Sequence, residues 1–175
     1  METTSLRLKG LKLIRPSVFR DERGFFKESF NSVYTGLGVT FVQDNHSFSK
    51  PGVVRGMHFQ VAPGQGKLVW ASLGKIFDVA VDLRKDSPTF GEWEGVYLDD
   101  EAQEQLFIPA GFAHGFCVVS LDGAHVHYKV TTPYCAETEK TFRYDDPTVH
   151  IQWPVASPVL SQRDLCAPSF QEVVG

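Results

Sequence analysis

Across residues 75–84 the side chains alternate: Phe77, Val79, Val81 and Leu83 fall on one side of an extended chain, Asp78, Ala80 and Asp82 on the other. A period of two marks a strand, because successive Cβ atoms point to opposite faces. The odd-numbered face is predicted to be core and the face carrying the two aspartates to be wet. Similar short runs occupy 11–19, 24–30, 53–59, 67–73, 93–98, 105–108, 116–120 and 125–131, separated by Gly, Pro, Asp and Asn at turn positions. Many short strands with such punctuation predict an all-β sandwich or barrel. Only residues 31–37 read as helix, with Asn31 as the cap and nearby glycines working against it. Beyond Thr132 the chain is irregular and rich in Pro, as expected of a tail packed over the barrel or against a partner.

With 175 residues, 42% of them hydrophobic, there is enough apolar material for one core and no sign of a second. A net charge of −4 without a Lys/Arg block argues against a nucleic-acid partner. The first ten residues lack the apolar run of a secretion signal, and no stretch of about 18 apolar residues could span a bilayer. A soluble, cytoplasmic protein is therefore expected, with no membrane partner. Cys117, Cys135 and Cys166 are odd in number and lack a CxxC pair, so they define neither a disulfide framework nor a zinc cluster.

Chemistry concentrates in Phe41-Val-Gln43-Asp44-Asn45-His46, Arg55-Gly-Met-His58-Phe-Gln60 and Gln65-Gly-Lys67. A potential base, cations and side-chain amides among β-branched and aromatic residues are the ingredients of a pocket for a small anion on a sheet. In a regular strand His58 shares a face with Val54, Gly56 and Gln60, and Arg55 faces the other way. A bulge at Gly56 would bring Arg55 and His58 together, and glycine within a strand often marks one. Alone, His58 also reads as a hydrogen-bonded core histidine, Tyr128 as a core tyrosine, Lys67 as a solvated lysine and Asp164 as an exposed turn acid.

The ordered set of motifs resembles one family. Asp21-Glu-Arg-Gly-Phe-Phe26 with Glu28-Ser-Phe30, the two segments around Gln43 and His58, Phe77-Asp-Val-Ala-Val-Asp82, Ser87-Pro-Thr-Phe-Gly91, Ile108-Pro-Ala-Gly-Phe-Ala-His-Gly-Phe116 and Leu160-Ser-Gln-Arg-Asp164 resemble the dTDP-4-dehydrorhamnose 3,5-epimerases along nearly the whole chain. The resemblance implies a cupin-type jelly roll with few short helices, one domain over residues 1–175. Residues 1–30 would contribute strands to a homodimer, and 132–175 would pack near the active site. It further implies a cofactor-independent isomerase that inverts C3 and C5 of dTDP-4-keto-6-deoxyglucose in dTDP-L-rhamnose biosynthesis. Each of those carbons flanks the C4 ketone, so its proton can leave to give an enolate and return from the other face.

By the same resemblance His58 is the base, Asp164 its carboxylate partner, Tyr128 the proton donor on the opposite face and Lys67 the cation near the C4 oxygen. Arg23, Glu28, Gln43, Asp44, Asn45, Arg55, His114, Glu139 and Arg163 match positions that contact the nucleotide sugar, and Tyr134 matches an aromatic that stacks on thymine. Three departures bear on scope. Trp70 stands where Arg or a smaller residue is common, Thr132-Pro-Tyr-Cys135 replaces a tandem tyrosine, and position 163 is Arg rather than Lys. Aromatic packing beside the sugar could decide whether one or both centres invert. A mono-epimerase on a related nucleotide-linked 4-keto-6-deoxy sugar is thus the alternative. A non-catalytic sugar-nucleotide binder and a metal-dependent cupin stand further off; for the last, His125-Val-His127 is the one His-x-His pair and lacks the remaining ligands.

Overall fold

The computed structural model describes residues 1–33 and 36–175. Thirteen strands dominate: β1 (Glu2–Ser5), β2 (Lys12–Arg15), β3 (Val18–Asp21), β4 (Gly24–Lys27), β5 (Gln43–Ser49), β6 (Val54–Gln60), β7 (Lys67–Leu73), β8 (Lys75–Asp82), β9 (Trp93–Asp99), β10 (Gln105–Ile108), β11 (Phe112–Val118), β12 (Ala124–Val130) and β13 (Glu139–Thr141). Two short helices, α1 (Gln162–Leu165) and α2 (Phe170–Val174), follow. The expected run at 11–19 is broken in two at Pro16, which cannot donate to a ladder. The helix expected at 31–37 falls partly on Tyr34 and Thr35, outside the described residues; Ser32 and Val33 form a turn, with Asn31 Oδ1 accepting from Val33 N at 3.1 Å. No helix among the described residues is long and apolar enough to cross a membrane.

The strands build a six-stranded sheet, β1-β2-β10-β7-β12-β5, and a five-stranded sheet, β13-β6-β11-β8-β9, with β3-β4 as a separate hairpin. The chain steps between the two sheets at every connection from β5 to β13 except β8–β9, which is the cupin-type jelly-roll winding. Face-to-face packing is defined by a core drawing Leu13, Val69, Ala71, Leu106, Ile108 and Val126 from one sheet and Ile76, Ala80, Leu98, Phe112 and Phe116 from the other. Burial of each such Leu, Ile or Val contributes about 1.5–3 kcal/mol.

Parity along β8 then corrects one expectation. Phe77, Val79 and Val81 do enter a core, but it lies on the outer side of the five-stranded sheet, under Phe142, Val149, Ile151, Phe170 and Val174 of the C-terminal segment. Asp78, Ala80 and Asp82 are not wet: all three have no exposure, because their face is the one turned toward the other sheet. A polar pattern on one face of a strand looks the same in sequence whether water or a second sheet satisfies it. Asp82 shows how the interior satisfies it. Arg84 Nε and Nη2, Ser87 Oγ and Thr89 Oγ1 all donate to its carboxylate at 2.6–2.8 Å. Burial alone would raise the pKa of this carboxyl, and the donors outweigh it and hold the group well below the usual range.

The β6–β11 ladder carries the feature that shapes the site. Arg55 pairs with Phe116 and His58 with His114, so β6 has one more residue than β11 in that interval. This bulge is the one expected at Gly56, whose φ is +131°. A Cβ there would sit 2.6 Å from Gly115 Cα, so the two glycines allow the strands to approach. Beyond the bulge Met57 and Phe59 join Val54 in the outer core, while Arg55 and His58 line a common cavity.

Candidate active site

Inter-sheet parity gathers polar side chains at one end of an otherwise apolar interior. Lys67 lies on the face of Val69 and Ala71, Asp78 on that of Ile76 and Ala80, His114 on that of Phe112 and Phe116, and Tyr128 packs against the same core. Lys67, Asp78 and His114 are buried and Tyr128 half-buried. Asn45 is the register partner of Tyr128, which puts Gln43 and Asn45 on this side of β5.

His58 Nε2 lies 2.6 Å from Asp164 Oδ1. The two are 106 positions apart in sequence, and the chain brings them together through the segment before α1. Val54 N donates to Val159 O at 3.0 Å and Val159 N to Gly52 O at 2.9 Å, tying that segment to the start of β6. Ser161 then caps α1, accepting from Asp164 N at 3.1 Å while its hydroxyl donates to Asp164 Oδ2 at 2.9 Å. Burial opposes ionisation of Asp164, but the His58 hydrogen bond and charge, then Ser161 and Arg163, outweigh it and lower its pKa. An ionised Asp164 accepts Nε2–H, which leaves His58 Nδ1 as a lone pair. Arg55, His58, Ser161, Arg163 and Asp164 line a cavity of about 350 Å³. A larger one, about 630 Å³, lies between the hairpin and Gln105; Glu28 is the one ionisable side chain in its lining, and His58 and Asp164 belong to the smaller cavity.

A second histidine–carboxylate pair stands beside the first. His114 Nε2 lies 3.0 and 2.9 Å from the two oxygens of Asp78. Burial lowers the His114 pKa against the pull of Asp78, with Lys67 and His58 as neighbouring like charges. Lys67 is pushed down to about 8 by burial, and Asp78 and Glu139 work in the opposite sense. Glu139 Oε2 also accepts from Arg163 Nη1 at 2.5 Å. The Tyr128 phenol is raised, chiefly by burial, with Arg55 opposing and Glu139 adding. Arg55 itself is anchored by Nε donating to Ser49 Oγ at 2.9 Å.

The open end is draped by residues 132–135. Gln60 Oε1 accepts from Cys135 N at 3.1 Å, and Gln43 Oε1 accepts from Tyr134 N at 3.1 Å, leaving the Tyr134 ring exposed. Gln43 Nε2 donates to Asn45 Oδ1 at 2.8 Å. Other expected contacts lie elsewhere. Arg23 is at the hairpin turn, paired with Asp21 at 2.5 Å and lining a different cavity from His58. Glu28 follows the hairpin and accepts from Asn31 Nδ2 at 3.4 Å. Asp44 points to the outer side of β5 and accepts from Lys129 Nζ at 2.7 Å.

The pairing of half-buried His58 with buried Asp164, the buried lysine and the cupin-type sandwich can be set against known proteins. The family model described as dTDP-4-dehydrorhamnose 3,5-epimerase matches residues 5–172. The chain belongs to that family. A dTDP-4-dehydrorhamnose 3,5-epimerase from Shigella flexneri is 48% identical over 97% of this chain and 96% of that relative. The crystal structure of a dTDP-6-deoxy-D-glucose-3,5-epimerase from Legionella pneumophila, in complex with dTDP-4-keto-L-rhamnose, superposes with a TM-score of 0.91 at 46% identity, covering 96% of this chain and 92% of that one. A 3'-monoepimerase from Streptomyces bikiniensis, in complex with dTDP-quinovose, gives 0.87 at 34% identity, covering 94% and 85%.

Within this epimerase fold Trp70 faces away from the cavity that His58 lines. It is on the outer face of the six-stranded sheet, stacked on His127 with ring centroids 5.5 Å apart, because its parity on β7 is opposite to that of Lys67. His125 and His127 share that outer face, where His125 Nδ1 meets His46 Nε2 at 2.8 Å. Among the described residues no group of three or more His, Cys, Asp or Glu is arranged to hold a metal ion. Sequence reasoning passed over Asp78 and Ser161 as site residues. The signal for Asp78 was an acid at an inter-sheet parity; for Ser161 it was a helix cap three residues before an acid.

Lys67 yields a prediction about stability. Its folded pKa, about 8 against an ordinary 10.5, means that the unfolded chain binds more protons between those values. The burial cost is fully present below pH 8 and relieved as pH rises toward 10.5. Lys67→Met is therefore expected to be more stable than the parent at pH 7, by at most about 3 kcal/mol, in urea unfolding, with the difference shrinking as pH rises through that window. A variant less stable at pH 7 would contradict the cost.

Proposed function

We propose that the chain is a cofactor-independent dTDP-4-dehydrorhamnose 3,5-epimerase acting on dTDP-4-keto-6-deoxyglucose to give dTDP-4-keto-L-rhamnose. The observation that carries this reading is the 2.6 Å contact of His58 with a buried carboxylate, which leaves one ring nitrogen as a base in a cavity also lined by two arginines.

In this reading His58 Nδ1 takes the proton from the carbon next to the C4 ketone. The electron pair left behind moves into an enolate whose oxygen faces Lys67, and the developing imidazolium is stabilised by Asp164. Tyr128 gives its phenolic proton to the opposite face of the same carbon and is reprotonated by solvent, while His58 releases the proton it took to solvent. Repetition at the other flanking carbon completes two inversions with no net change in atoms or electrons. Arg55, Arg163, Gln43, Asn45, His114 and Glu139 would bind the sugar and diphosphate, and the exposed Tyr134 ring would stack on thymine.

The partner in this reading is a second copy. Among the described residues the β3–β4 hairpin pairs only with itself, and it exposes Phe19, Phe25 and Phe26 by 66%, 50% and 66%. A lone two-stranded ribbon with an exposed apolar patch is marginal in water, so a covering surface is expected. A homodimer in which the hairpin carries Arg23 and Glu28 to the other subunit's cavity would account for their position here. Three free thiols fit a reducing, cytoplasmic setting.

Two assays test these statements. Coupled to an NADPH-dependent reductase, the protein should convert dTDP-4-keto-6-deoxyglucose to dTDP-L-rhamnose, and His58→Ala or Asp164→Ala should lower kcat by at least about 10²-fold. Tyr128→Phe should impair product formation more than proton exchange. Full turnover by His58→Ala would remove the base assignment, and product inverted at one carbon would make this a mono-epimerase. By analytical ultracentrifugation the protein should sediment as a dimer at micromolar concentration; a monomer there would contradict a shared site.

A further inference from the structure

Two buried acids face the polar end of the interior from different elements, and the proposed chemistry uses one of them. Asp164 from α1 backs His58. Asp78 from β8 has no exposure and accepts from His114 through both oxygens. His114 and His58 are register partners across β11 and β6, so two histidines stand side by side, each with its own carboxylate. A carboxylate stripped of water is costly unless its charge is answered nearby. The cations close to Asp78 are Lys67 from β7 and, when protonated, His114.

We infer that Asp78 is a positioning residue for epimerisation, keeping the buried Lys67 ammonium charged through the neutral range and holding His114 in the tautomer with its proton on Nε2. The inference rests on the reading of Lys67 as the cation facing the enolate oxygen. The charged groups that act on Lys67 are Asp78 from β8, His114 from β11 and Glu139 from β13, of which Asp78 and His114 share its buried inter-sheet face. Glu139 is already committed to Arg163 and also bears on Tyr128 beside Arg55. Asp78 heads the opposition to the burial that drives Lys67 toward neutrality, consistent with a lysine whose balance point, about 8, lies just above neutral pH. Without that carboxylate the interior would hold a neutral amine, which cannot stabilise an enolate as a point charge does.

Asp78→Asn isolates the charge, since an amide oxygen can still accept from His114 Nε2. In protein with ¹³Cε-labelled lysine, the Lys67 resonance, assigned by its absence in Lys67→Met, should titrate one to two units lower in Asp78→Asn than in the parent, in line with an opposite charge at close range. The alkaline limb of kcat/KM should move down by the same amount. Activity should then fall about five- to fiftyfold at pH 8 and stay within about threefold at pH 6. An unchanged Lys67 midpoint, or a loss of activity equal at every pH, would overturn the inference. Should the parent fail to turn over substrate, the proposed function falls while the Lys67 titration still decides the role of Asp78. If Asp78→Asn does not fold, the double variant Asp78→Asn/Lys67→Met, which removes the unanswered cation as well, should fold; equal failure of both would also overturn it.

Discussion

Two packed sheets lie about 10 Å apart, and whatever side chain their inner faces carry between them has left bulk water. In this chain those faces carry Lys67, Asp78 and His114 as well as Leu and Val, and the remaining polar architecture answers that burial. Asp78 meets His114, Lys67 is drawn below its ordinary pKa by burial, and Glu139 accepts from Arg163 while its charge opposes the shift of Lys67. An exposed lysine would be a dispersed, hydrated charge. The same ammonium held between sheets is a concentrated one, and it is poised to meet negative charge arriving on a ligand.

Backbone geometry turns that interior into a site. Without the extra residue in β6, Arg55 and His58 would face opposite sides of the five-stranded sheet, one toward the C-terminal segment and one toward the cavity. The facing pair Gly56 and Gly115 makes the bulge possible, since a Cβ on either would meet backbone within 3 Å. Tethering of Val159 to the start of β6 then brings Asp164 under the imidazole. The C-terminal segment has two tasks as a result: it covers the outer face of one sheet and it supplies the carboxylate that meets His58.

Much of this was legible in the chain. Alternation located β7 and β10 to the residue, and the ends of β6, β9 and β12 to within one. β1 (Glu-Thr-Thr-Ser) and β13 (Glu-Lys-Thr) carry no apolar residue for periodicity to register, and β5 was read as a cluster of chemistry rather than as a strand. The wet face expected for Asp78 and Asp82 was the wrong reading of a correct pattern, because parity reveals that a face is polar but not what lies opposite it. Gly56 was a visible bulge signal. The approach of Asp164 to His58 was not visible from spacing at all; it came from the ordered motifs of the family, and the fold supplies the physical route. Trp70 shows the limit of motif comparison: an unusual residue in a site strand bears on the ligand only if its parity is right, and its parity turns it away.

The central claim is that His58 removes protons from the carbons flanking a ketone in a site that does no redox chemistry. The most direct measurement is ¹H NMR of dTDP-4-keto-6-deoxyglucose incubated with the protein in deuterated water, without any reductase. The account predicts loss of the C3 and C5 proton signals to deuterium in the parent and retention of both in His58→Ala. Retention of both protons in the parent would contradict it.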